Sequence, residues 1–251
     1  MTRKIGPDAV ITMQKEMSFV DHLSELRSRI LKCLIAVLVC SGLCYRFWEK
    51  ILRLLTGYPL HRLQPPPELI YTGPTEGFMI SIKIALFSGL LSAAPFVFFQ
   101  FWRFTAPGLF QNEKKQILPL ILFSTFFFLS GIAFSYRIVL PIAFDFLMNC
   151  TPAPLRPLLS IDHYIGFVVK FMAAFGLVFE LPVLAFIFAR MGILTAAFLR
   201  RNFRYAVILI FILAAILTPP DVFSQTLMAL PLLALYLLCI PIAHFARSRH
   251  A

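Results

Sequence analysis

Several stretches of this chain are apolar on every side and long enough to cross a bilayer. Few folds can accommodate that. A hydrocarbon core of ~30 Å takes ~20 residues of α-helix to span, because each backbone N–H and C=O must find its partner inside the segment. A transmembrane β-barrel would need ~10-residue stretches alternating apolar and polar, and these runs do not alternate. Composition agrees: 59% of the 251 residues are hydrophobic and 14% are charged, with a mean hydropathy of +0.83. That is more apolar surface than a water-soluble core of this length could hide. The fold class predicted is therefore all-α, a polytopic membrane bundle.

Six spans are predicted at about 30–45, 77–102, 117–140, 164–189, 205–218 and 223–243. They lie in a transmembrane domain covering 18–246, after an N-terminal extension (1–17) and before a short tail (247–251). The first run begins near Ile30 with no short apolar stretch ahead of it, so the N-terminal region is expected to stay as an anchor and not to be cleaved. Counting Lys32 and Arg137 at the span edges, fifteen Lys and Arg fall in the N-terminal segment, the second and fourth links and the tail, against six in the alternate links. By the positive-inside rule both termini are cytoplasmic, which requires an even number of spans. The net charge of +11 is thus read as topology, not as a nucleic-acid surface. Cys33, Cys40, Cys44 and Cys239 lie within apolar runs and Cys150 in a link; with no C-x-x-C motif they read as packing residues.

The fifth run, Tyr205 to Thr218, covers only ~21 Å as a helix. Either the bilayer thins beside the last two spans, or flanking residues such as Phe203, Tyr205 and nearby arginines snorkel and the mismatch disappears. Pro219-Pro220-Asp221 leaves room only for a tight hairpin between spans five and six. Pro95, Pro182 and Pro231 lie inside spans, where each deletes a backbone hydrogen bond, so the bundle is expected to be curved.

Three ionisable residues fall inside the runs. Lys83 and Lys170 each lie about ten ångströms from the outer boundary and could snorkel there. Glu180 is too deep and too short for that. Because Pro182 leaves the carbonyl of Val178 without its helical donor, Glu180 is either a polar contact for something entering the concave face or one end of an internal hydrogen bond. On the basic side, Phe19, Leu23, Leu26 and Ile30 have the spacing of an amphipathic helix, expected to lie on the membrane surface before turning in. Glu25 and Glu113 are acidic exceptions on that face. Carboxylates so placed could receive guanidinium groups in bidentate pairs, or Glu25 could pair with Arg29 at i,i+4 and Glu113 with Lys115.

Five motifs occur in order: His22-Leu23-Ser24-Glu25-Leu26-Arg27-Ser28-Arg29, Phe104 through Glu113, Gly131-Ile132-Ala133-Phe134-Ser135-Tyr136, Phe179-Glu180-Leu181-Pro182 and Thr218-Pro219-Pro220-Asp221. With them, the chain resembles the TatC component of the twin-arginine protein translocase over about residues 18–245. The resemblance implies a multi-pass protein of the bacterial inner membrane. Such a protein is not an enzyme and needs no cofactor or metal. It recognises paired arginines in signal peptides of folded cargo and starts export driven by the proton-motive force. It further implies that Glu25, Glu113, His22, Leu26 and Phe104 form the signal-peptide site and that Glu180 lies in a concave membrane groove. TatA-like and TatB-like single-span partners are expected at the last two helices, together with other copies of the chain. Pro59 and Asp221 are assigned to outer-side loops. The sequence departs from the family in its N-terminal extension and in Pro65-Pro66-Pro67.

An ion-coupled transporter or channel, with Lys83, Lys170 and Glu180 along one path, is the alternative from another class. No internal repeat supports it. Catalysis finds no H-E-x-x-H, G-x-S-x-G or metal-ligand spacing among the five scattered histidines.

Overall fold

The structure, a computed structural model, describes residues 7–61, 68–109, 117–149, 158–218 and 221–248. Its first element, α1 (Pro7–Tyr45), is a single helix of 39 residues. The surface helix predicted over 18–29 is therefore not a separate element that turns into the membrane. No Gly or Pro occurs between Pro7 and Gly42, so nothing in the sequence interrupts the i→i−4 ladder, and Pro7 sits in the first turn, where its missing N–H costs nothing.

The short helix α2 (Trp48–His61) follows, in a stretch read from sequence as a plain link. Trp48, Ile51, Leu52 and Leu55 repeat at helical spacing and pack into the core, while Arg53 points outward. Pro59 is inside this helix and fully buried, not in an outer loop as assigned. A proline there cannot donate to the carbonyl of Leu55. The phenol of Tyr164 donates to that carbonyl instead, at 2.9 Å.

The strand β1 (Glu68–Ile70) leads into the long helix α3 (Glu76–Leu109). Helix α4 (Ile117–Phe134) passes through a π-helical stretch, Ser135–Val139, into α5 (Leu140–Asn149). The amide of Leu140 reaches back five residues to the carbonyl of Ser135, just before Pro141, which has no N–H to keep the ordinary pattern. The strand β2 (Leu158–Ser160) pairs in parallel with β1, Leu69 opposite Leu159. Then come α6 (Ile161–Val178), α7 (Leu181–Arg190), α8 (Ala196–Arg201), α9 (Phe203–Leu217) and α10 (Val222–Ser248).

Among the described residues, five helical stretches are long and apolar enough to span a membrane: 23–45, 76–105, 118–149, 161–190 and 222–246. The shorter apolar helix α9 makes a sixth. The fifth run is thus the short one, as its length predicts.

The core lies where α4 and α6 cross. Phe171 and Phe175 of α6 are fully buried there. The approach is close because glycines face it from both sides. A Cβ on Gly131 would sit 2.5 Å from the carbonyl oxygen of Phe175, and one on Gly176 would sit 2.8 Å from the ring of Phe128. Small residues at helix contacts are what membrane packing demands, since lipid offers no hydrophobic drive to bring helices together.

Candidate functional site

On the α1–α3 pair, the carboxylate of Glu25 is 44% exposed and is bonded to Arg29 through both Nε, at 3.1 Å, and Nη2. The i,i+4 alternative is therefore realised. Arg29 is more sheltered, and its Nη1 donates to the backbone carbonyl of Gln100 in α3 at 3.2 Å. That bond brings Glu25 to the same end of the bundle as Phe104, one helical turn beyond Gln100 and half-buried. Leu26 is also half-buried. The backbone of His22 continues α1, and Glu113 lies outside the described residues.

Glu180 occupies the break between α6 and α7. Its own amide donates to the carbonyl of Leu177 at 3.1 Å, and its carbonyl accepts from Leu184 at 3.0 Å, so the chain re-enters helix at once. Pro182 falls in the first turn of α7, where it is tolerated. The side chain is 7% exposed. Trp102 of α3, 2% exposed, donates its indole N–H to the hydroxyl of Ser124 in α4 at 2.9 Å, and Ser124 is a polar neighbour of the Glu180 carboxyl. Polar groups from three helical segments thus cluster in the buried interior. Glu180 Oε1 has no hydrogen-bond partner among the described residues.

Lys83 does not reach outward alone: its Nζ is 2.6 Å from Asp162, at the start of α6. Asp162 escaped notice because it lies two residues before the predicted start of its span, although an acid at that edge was the available signal. Lys170 is exposed and, among the described residues, has no hydrogen bond or ion pair. Glu180 is ten residues further along, ~15 Å of helix. The structure does not gather the three into one path.

Asp221 begins the last hairpin. Its Oδ1 accepts the amide of Ser224 at 2.6 Å, capping α10, and Gln225 reaches across to the carbonyl of Phe211 in α9 at 3.0 Å. The two helices are neighbours, as a tight connection requires. Among the described residues no cluster of three potential metal ligands occurs.

A family model described as Sec-independent protein translocase protein (TatC) matches residues 21–231. A TatC protein of Aquifex aeolicus is 39% identical over 235 residues, covering 93% of this chain and 97% of that protein. One from Helicobacter pylori strain J99 is 41% identical over 222 residues, covering 88% of this chain and 87% of the relative. Among solved structures, a crystal structure of the twin-arginine translocase receptor TatC matches with a TM-score of 0.83 at 40% identity, covering 90% of this chain and 99% of that one.

Proposed function

The chain belongs to the TatC family of Sec-independent protein translocases, and from that premise we propose that the carboxylates of Glu25 and Glu113 receive the paired arginines of a twin-arginine signal peptide. It is a multi-pass membrane protein of the Tat translocase system. The observation that carries the site reading is the Glu25–Arg29 pair, where a guanidinium already engages this carboxylate through two nitrogens.

An exposed i,i+4 pair is worth only ~0.3–0.5 kcal/mol, so exchanging Arg29 for a cargo arginine costs little. The carbonyl of Gln100 keeps a place for Arg29 when it is displaced. An incoming guanidinium offers a planar two-pronged donor, whereas a lysine offers a point charge, and this geometry favours arginine over lysine. The surrounding basic residues repel other cationic segments. His22, Leu26 and Phe104 flank the carboxylates and contact the residues around the arginine pair.

The same reading puts both termini on the cytoplasmic side of a bacterial inner membrane and takes the energy for export from the proton-motive force. Residues 18–246 form the working domain, with 1–17 and 247–251 as appendages. Glu180, with an oxygen unmatched among the described residues, meets polar groups of the inserting signal peptide. TatA-like and TatB-like partners pack against α9 and α10, where the 15-residue α9 thins the bilayer and eases insertion. Further copies of the chain complete the assembly.

Binding of a twin-arginine peptide and its twin-lysine counterpart to the wild type and to a Glu25→Gln, Glu113→Gln variant tests the site. The wild type should prefer arginine and the variant should lose that preference. An unchanged preference in a folded variant would refute the assignment.

A further inference from the structure

Between α4, α7 and α10 lies a cavity of about 440 Å³, within the roughly 300–1,000 Å³ range of ligand sites. Leu120, Phe123 and Phe127 of α4, Val183 and Phe186 of α7 and Ile242 of α10 form most of its wall. Among its described lining residues Arg190 alone is charged. We infer that this groove holds one acyl chain of an anionic phospholipid, with Arg190 binding the lipid phosphate.

Both parts of the site are built. Arg190 ends α7, and its guanidinium lies over the ring of Phe186, 5.4 Å from the centroid, which sets it at the groove end against an apolar wall. Further along the chain, α8 ends on Arg200 and Arg201, and basic residues grouped near helix ends attract anionic headgroups. The wall itself offers an extended peptide backbone almost nothing to bond with and suits saturated hydrocarbon.

Charge selects among occupants. An uncharged transmembrane helix gains nothing from Arg190, and a segment carrying paired arginines is repelled by it. A phosphodiester gains a charge-assisted bond to a guanidinium already held in place.

Native mass spectrometry of the purified full chain in mild detergent, titrated separately with phosphatidylglycerol and phosphatidylcholine of identical acyl chains, reads this out. The wild type should retain one phosphatidylglycerol with about fivefold preference, the scale of one interfacial cation. Arg190→Gln should bring the two lipids to parity, and Leu120→Trp, which fills the groove, should lower retention of both. Equal retention of the two lipids by the wild type, a measurement that needs no variant, would overturn the inference. So would persistence of the preference in Arg190→Gln, or displacement of the bound lipid by an apolar peptide of the signal-sequence type.

Discussion

The two ends of the bundle are fastened differently. At the end where α3 and α6 begin, β1 pairs with β2, Lys83 with Asp162, and the phenols of Tyr136 and Tyr164 bond to the carbonyls of Leu54 and Leu55 in α2. These are long-range ties, and that of Tyr164 is buried. At the other end, the exposed carboxylate of Glu25 is held by Arg29, a neighbour on its own helix, in an i,i+4 pair of a kind that adds little stability. One end is fixed as a platform, and the other carries contacts weak enough to be exchanged. If Glu25 is the receptor site proposed above, it needs both, because a site that releases its own arginine must sit on helices that do not move when it does.

The predictions that break or sharpen this contrast run from the packing shared by both ends down to a single surface pair. Gly131→Leu pushes a side chain into the carbonyl of Phe175 and should separate α4 from α6, costing about 3 kcal/mol or more. Thermal unfolding in detergent would show it, and near-wild-type stability would mean the crossing is not the common support. Replacing both Glu25 and Glu113 by Ala should weaken twin-arginine peptide binding by about tenfold to a hundredfold, the scale of losing charged hydrogen bonds, while leaving stability unchanged. Isothermal titration beside a melting curve separates the two effects. Tyr164→Phe leaves the buried Leu55 carbonyl without a donor, so about 1–3 kcal/mol of stability should go, with peptide affinity retained. Last, Lys83→Ala removes one partner of a half-exposed ion pair and should cost under about 1 kcal/mol. A larger loss would show that this end depends on charge more than on its phenol hydrogen bonds.

The spans were legible because hydrocarbon thickness sets a minimum length, and runs such as 76–105 and 222–246 meet it whatever their partners. The short fifth helix and the break at Glu180-Leu181-Pro182 were legible for equally local reasons, apolar length and a missing N–H. By contrast, α2 was missed. Its 14 residues mix charge with apolar groups, and its helical spacing becomes visible only when one looks below membrane length. The surface helix was wrongly separated from the first span because amphipathic spacing says which face is apolar and not where a helix bends. Only a breaker can say that, and 8–41 contains none. Lys83 was singled out by its cost in lipid, but its partner Asp162 comes from another helix, information that no spacing within one run contains. At Glu25 the sequence offered both a local partner and a guest. The structure supplies the local partner, and the guest is what remains to be tested.

The most direct test introduces a photoreactive side chain at residue 25, at 113 and at 170 in turn, with a labelled twin-arginine peptide added from the cytoplasmic face of inverted membranes. Adducts at 25 and 113, competed away by unlabelled twin-arginine but not twin-lysine peptide, and none at Lys170 on the exposed flank of α6, are what this account predicts. Equal labelling at all three positions, or reactivity of 25 and 113 from opposite faces of the membrane, would contradict it.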